Sequence, residues 1–273
     1  MDHSPSKPVF FHVGMGRTGT TFLQARVFPK LTSIHYIRNP QYRRGRYAQL
    51  IERGEANRYL VSHEFDQDLE PELHNIAAKL PHARIILVLR RPDQWIASQY
   101  RRKVKNGYRG SFLDFFDIHH DQGDWKQRVL CFYQHIRLIE QLFTHKPLVL
   151  LYDELKQDPF VFLDKIAAYT GASYRREAID TTSKHASYEE QQLNFLYWLN
   201  SRLPGKARRQ LSPHKGVRQF QQQLIKVPRF TLMKLATLAP AGWLPGRPLI
   251  DEAELETIRA SYQEDWEQCL AYI

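Results

Sequence analysis

The chain has 273 residues, 42% of them hydrophobic and 25% charged, a balance that excludes global disorder and permits a sizeable core. No run of 18 or more apolar residues occurs, so the sequence holds no candidate transmembrane helix. Lys and Arg number 39 against 29 acids, a formal charge of +10 that favours polyanionic partners: nucleic acid, phosphorylated cofactors, acidic glycans or an anionic membrane.

The opening residues lack the apolar stretch of a signal peptide and lead almost directly into residues 9–13 (VFFHV), a short β-prone run followed by glycines. Residues 20–30 read as a helix, and 36–58, rich in Arg, Tyr and Gln, as an irregular segment with an embedded helix. Residues 58–62 (RYLVS) and 84–89 (RIILVL) read as strands, separated by a helix over 69–80. Pro92 suits the first turn of a helix running to about residue 104. Helices are expected over 112–116 and 125–143, then a strand at 148–151 (LVLL), then an amphipathic helix over 160–170 that stops at Gly171. Beyond it the strand signal fades, and 188–203 and 252–272 look helical. This alternation predicts an α/β fold of three layers, a central mainly parallel sheet flanked by helices. The expected organisation is one domain over 1–273, with an α/β core at 8–185 and a mainly helical part at 186–273. Two cysteines far apart in sequence, Cys131 and Cys269, suit free thiols in the cytoplasm rather than a disulfide framework or CxxC metal site.

Gly14-Met15-Gly16-Arg17-Thr18-Gly19-Thr20-Thr21 lies between the first strand and the first helix. Glycines let the backbone wrap an anion, the first helical N–H groups point at it, and Arg17, Thr20 and Thr21 add charge and hydroxyls. Gly14 and Gly19 have the spacing of the triphosphatase loop GxxxxGK[ST], but Thr20 stands where the phosphate-reaching lysine belongs and the cation sits at Arg17. That displacement argues against ATP or GTP hydrolysis.

Arg17-Thr18-Gly19-Thr20-Thr21 resembles the 5′-phosphosulfate loop of the sulfotransferase family, roughly [KR]-[ST]-G-T-[TS]. Arg90-Arg91-Pro92 through Ser98 is similar to that family's second signature, R-x-P-x-[DE]-x-x-x-S, with the acid, Asp93, one place early. Residues 148–155 resemble the strand and Y-E-[DE]-L turn of the family. The resemblance implies a P-loop-like fold and a cofactor, PAPS (3′-phosphoadenosine 5′-phosphosulfate), left as PAP without a metal. It implies cofactor contacts from Arg17, Thr18, Gly19, Thr20, Thr21 and Phe22, with the 3′-phosphate on Arg90 and Ser98, and further contacts from Tyr152 and Ser183. Lys215-Gly216 only faintly matches a late family signature. Gly123-Asp124-Trp125-Lys126 copies another family string in the wrong place and reads instead as a helix start with Asp124 near its cap.

Sulfuryl transfer needs a cation at the leaving side, donors around the sulfuryl oxygens and a base on the acceptor. Arg17 cannot give up a proton, so its expected role is electrostatic. The base is expected after the second strand, where Ser62-His63-Glu64 offers two candidates, His63 as in cytosolic members and Glu64 as in many bacterial ones; Glu64 is favoured. Arg38, Arg43, Arg44 and Arg46 with Tyr36, Tyr42 and Tyr47 suit a sugar or equally a solvated flap. A second basic stretch spans 206–226, and residues 229–248 are apolar but too broken to span a bilayer, leaving peripheral membrane contact or a core helix open. The reading is a sulfotransferase acting on a hydroxyl or amine of a small-molecule or glycan acceptor, with a carbohydrate or glycolipid favoured and no nucleic acid. The rivals are a P-loop kinase and a non-catalytic binder of anionic ligands.

Overall fold

The structure is a computed structural model that describes residues 7–43, 46–182, 190–202 and 248–273. Five strands form one sheet: β1 (Val9–Gly14), β2 (His35–Ile37), β3 (Tyr59–Glu64), β4 (Arg84–Leu89) and β5 (Leu148–Leu151). Their order is β2-β3-β1-β4-β5, and every pairing is parallel. The chain leaves β1 toward one side for β2 and β3, then crosses to the other for β4 and β5. The crevice beyond the carboxyl ends of β1 and β4 is therefore the topological switch point, where open α/β sheets bind ligands.

Both faces are covered, and the strands accordingly read as continuous apolar runs. On one face Phe11, Val13, Ile85, Leu87 and Leu89 pack with α4 (Leu69–Lys79), α5 (Pro92–Lys105) and α7 (Phe132–Leu142). On the other, Phe10, Ile86 and Val88 pack with Leu23, Val27 and Phe28 and with α9 (Pro159–Thr170). Each fully buried Leu, Ile or Phe side chain contributes about 1.5–3 kcal/mol of transfer free energy, so this double burial fixes the strand register that aligns Gly14 with Glu64.

Several boundaries differ from expectation. Residues 36–58 supply the edge strand β2 and two helices, α2 (Asn39–Arg43) and α3 (Tyr47–Arg53). Tyr42 and Tyr47 do not form a solvated flap or sugar platform: they stack on each other and pack edge-on against Phe11, while Tyr36 lies against Phe28. The helix after the first loop is composite, an α-turn α1 (Thr20–Phe22), a π-turn (Leu23–Val27) and a 3₁₀ turn (Phe28–Lys30). The helix expected over 112–116 is the short α6 (Phe112–Phe115), and no helix starts at Asp124, whose N–H bonds the Asp114 carbonyl in a loop. A 3₁₀ turn covers Gln127–Leu130, and the N-terminus of α7 is capped from a distance by Asp265, which accepts from the N–H groups of Phe132 and Tyr133. The last helical stretch is broken at Tyr262 into two helices, Glu252–Ser261 and Gln263–Tyr272. The helix expected over 188–203 is described as Glu190–Arg202. The basic stretch 206–226, Lys215-Gly216, Ser183, Arg44 and residues 229–247 lie outside the described residues.

Candidate active site

The loop that leaves β1 is shaped by two left-handed residues, Arg17 at φ 74° and Gly19 at φ 85°. A non-glycine residue there is strained and persists only where its surroundings hold it. Here α5 supplies the hold: Trp95 Nε1 and Gln99 Nε2 donate to the Gly16 carbonyl at 2.8 and 3.1 Å. Asp66 accepts from the Gly16 N–H at 2.7 Å and from Arg102 at 2.9 Å. At Gly19 a Cβ would stand 2.4 Å from Leu155 Cδ2, so the glycine serves both the backbone turn and the close approach of the segment after β5.

Within the loop, Thr18 and Thr20 are buried. Thr18 Oγ1 donates to the Met15 carbonyl at 2.5 Å, and Thr20 Oγ1 approaches the same oxygen at 3.4 Å. These hydroxyls brace the cradle from inside, while Thr21 is exposed at its mouth and Phe22 is half-buried against the β1–β4 face packed by α9. The N–H groups that open the helix lack intrahelical acceptors and form the donor ring of the cradle. Beneath it, fully buried His12 contacts Ser62 Oγ at 2.8 Å, and burial pushes its imidazole down to about 3, so it stays neutral.

The two phosphate signatures meet. Arg17 Nε donates to Ser98 Oγ at 2.9 Å, joining loop and α5. Arg90, at the end of β4, reaches the Arg17 carbonyl at 3.5 Å and lies over the Tyr152 ring at 5.1 Å. Burial lowers the affinity of Arg90 for its proton, and Arg17 and Arg101 add to that effect. Burial likewise depresses Arg17, with Arg102 as the next cause. Cations thus crowd one another at the mouth of the sheet, and Arg90 Nε is buried without a hydrogen-bond partner among the described residues. Crowded, partly desolvated guanidiniums with an orphaned donor fit a multiply charged anion such as PAPS, since forked Arg contacts suit phosphate. Tyr152 begins a short helix, α8 (Tyr152–Gln157), where a turn was expected.

The two base candidates diverge because successive strand residues face opposite sides. Glu64 turns to the cradle. Burial raises its carboxyl above the usual range, nearby Asp66 raises it further, and Arg102, a hydrogen bond from Thr20 and Arg17 pull the other way. His63 turns to the opposite packing: its Nδ1 meets Asn39 Oδ1 at 2.7 Å, and its ring stacks on Tyr42 at 4.4 Å and packs edge-on to Phe65. By sequence, Arg101 and Arg102 share the helix face of Ser98 and suit either a deepened anion field or a solvated basic face; the structure turns Arg102 to Asp66. The sequence reading missed Trp95, Gln99 and Asp66. Trp95 stands at helical spacing from both Ser98 and Gln99, a legible signal; Asp66 gave none.

Fold and site define an α/β enzyme with an anion-binding loop of the P-loop type that lacks the P-loop lysine. The sulfotransferase domain model matches residues 7–222, and the chain belongs to that family, the PAPS-dependent sulfotransferases. Among solved structures it is similar to a sulfotransferase from Alicyclobacillus acidocaldarius, at 16% identity and TM-score 0.52, covering 71% of this chain and 92% of that one. Mouse sulfotransferase SULT7A1 complexed with PAP also aligns, at 19% identity and TM-score 0.41, covering 63% of this chain and 61% of that one. A search of curated proteins finds no match.

Proposed function

We propose that this enzyme moves the sulfuryl group of PAPS to a hydroxyl or amine of a carbohydrate or glycolipid acceptor, by direct in-line displacement that needs no metal. The observation that carries the reading is the meeting of Arg17, Arg90, Ser98 and Glu64 at the carboxyl ends of β1, β3 and β4. Arg90 and Ser98 hold the 3′-phosphate. The loop N–H groups and Arg17 hold the 5′-phosphosulfate, and Arg17 stabilises the charge that grows on the departing phosphate as a fixed cation. Glu64 takes the acceptor proton. Burial raises its carboxyl above the ordinary range, which makes the carboxylate a stronger base for the proton released as the S–O bond forms. The carbohydrate assignment rests on the Ser62-x-Glu64 strand end. The free thiols of Cys131 and Cys269 support a cytoplasmic setting, and among the described residues no helix is long and apolar enough to cross a membrane.

The test is a thermal shift with PAP, ATP and an oligonucleotide in parallel. At one hundred times Kd a ligand stabilises by about 2.7 kcal/mol, roughly 5–10 °C for a chain of this size. PAP is expected to give this shift, Arg90→Ala to abolish it, and ATP and oligonucleotide to give less. Absence of any response to PAP sinks the proposal, and a larger response to ATP with Mg²⁺ favours a kinase. Mass spectrometry of an acceptor panel with labelled PAPS then reads the sulfated position.

A further inference from the structure

The C-terminal end of α5 forms one wall of a recess of about 510 Å³ lined by Arg102, Lys103, Asn106, Gly107 and Tyr108, within the roughly 300–1,000 Å³ usual for small-molecule sites. Local sequence builds it. Gly107, at φ 98°, ends the helix in a Schellman turn, with Gly107 N–H on the Val104 carbonyl and Tyr108 N–H on the Lys103 carbonyl, both at 2.9 Å. The turn folds Tyr108 back beside the helix, where its ring packs against Tyr100 and Phe115. The recess therefore has a fixed aromatic wall.

Its lining carries two cations, Arg102 and Lys103, and no carboxylate among the described residues, while Asp124 engages the Tyr108 hydroxyl beside it. A helix C-terminus ordinarily repels anions, but here Asn106, Gly107 and Tyr108 already occupy the carbonyls of Arg102, Lys103 and Val104, so side chains set the local charge. Lys103 is exposed and forms no ion pair among the described residues. Arg102 spends part of its charge on Asp66. Arg102 is also the link to the transfer centre: it pairs with Asp66 at 2.9 Å, Asp66 accepts from the Gly16 N–H of the cradle at 2.7 Å, and a Cβ on Gly16 would stand 3.1 Å from Arg102 Nη1. The Arg102 guanidinium thus belongs both to the recess and to the wall of the cradle, beside the end of β3 that carries Glu64.

Resting on the proposed sulfotransferase reading, we infer that this recess is the acceptor subsite and that it selects an acceptor already carrying a negative charge, an acidic sugar with a carboxylate or sulfate ester. The anionic group sits against Lys103 and Arg102, the sugar ring lies on Tyr108, and the reacting hydroxyl is turned toward Glu64.

The experiment uses the full chain saturated with PAP and three matched probes: p-nitrophenyl glucoside, its glucuronide, and its 6-sulfate. Calorimetry reads binding of each. At least one anionic probe is expected to bind on the order of tenfold tighter than the glucoside, as two partly exposed cations can supply, and the two anionic arms separate carboxylate from sulfate preference. Lys103→Gln is expected to cut that preference about fivefold. Preference below twofold in the wild type, no binding of any probe, or a preference unchanged in Lys103→Gln overturns the inference. Failure of PAP itself to bind is a different result and overturns the sulfotransferase reading instead.

Discussion

Replacing Glu64 with glutamine tests the chemistry at one atom. Glutamine keeps the shape and still offers an oxygen to the Thr20 hydroxyl, but it cannot take a proton. General-base catalysis is worth roughly 10²–10⁴-fold, so kcat at saturating PAPS should fall by that factor. Cofactor affinity should not fall, because the substitution removes a negative charge that acts on Arg17. Stability should not fall at neutral pH either. The folded-state carboxyl is raised above its reference value of 4.5, chiefly by burial, so the folded chain binds more protons than the unfolded one as pH rises from 4.5 through the raised value. Stability is lost across that window, and glutamine does not incur the loss. The assay is sulfated product by mass spectrometry from about pH 5 to about pH 8, with PAP binding measured in parallel. Wild-type kcat/KM should rise along an acidic limb centred above the ordinary carboxylate range, and the limb should vanish in Glu64→Gln. Turnover within about threefold of wild type, or survival of the limb, refutes Glu64 as the base.

Other outcomes follow from the same geometry. His63→Ala should keep kcat within about tenfold of wild type yet lower the thermal midpoint, because its ring packs on Tyr42 and Phe65; a loss as large as that of Glu64→Gln would move the base to His63. Gly19→Ala places a Cβ 2.4 Å from Leu155 in a left-handed backbone, a cost of about 2–5 kcal/mol from strain and overpacking together, and PAP binding should disappear with it in calorimetry. Burial alone pushes the Asp93 carboxyl up, but hydrogen bonds and charge from Arg91, with Arg259, hold it below its reference 3.8. Its stabilisation is thus present above that value and lost as pH falls through the depressed one. Asp93→Asn should cost about 2 kcal/mol at neutral pH, roughly 4–8 °C in Tm, and should flatten the acid limb of a Tm-against-pH curve.

Much of the fold was legible because its signals are local. Four of the five strands are continuous apolar runs ending in glycine, arginine or turn residues, and Pro92 and Gly171 mark helix ends through their own backbone preferences. The edge strand β2 escaped notice because His35–Ile37 is short and half-exposed, so it shows neither alternation nor an apolar run. The missing helix start at Asp124 has the opposite cause: α7 takes its cap from Asp265, 133 residues away along the chain, and no local pattern announces that. At the site, the loop and Arg90–Ser98 were readable as motifs. The choice between His63 and Glu64 required knowing which face of β3 the cradle occupies. Asp66, which ties Gly16 to Arg102, acts through a contact that only the folded chain creates.

The position of β1 also governs how the molecule is made. The strand synthesised first of the five is the one that ends up in the middle, with β3 on one edge and β4 on the other. While the chain emerges from the ribosome, VFFHV presents both of its edges unpaired until β3 has been made and one of them until β4 follows, an interval in which a flat apolar strand invites pairing with other chains. The packing of Leu155 against Gly19 comes later still. Ligand binding should therefore appear abruptly, late in synthesis, and chains arrested before β5 should depend on chaperones and bind no PAP.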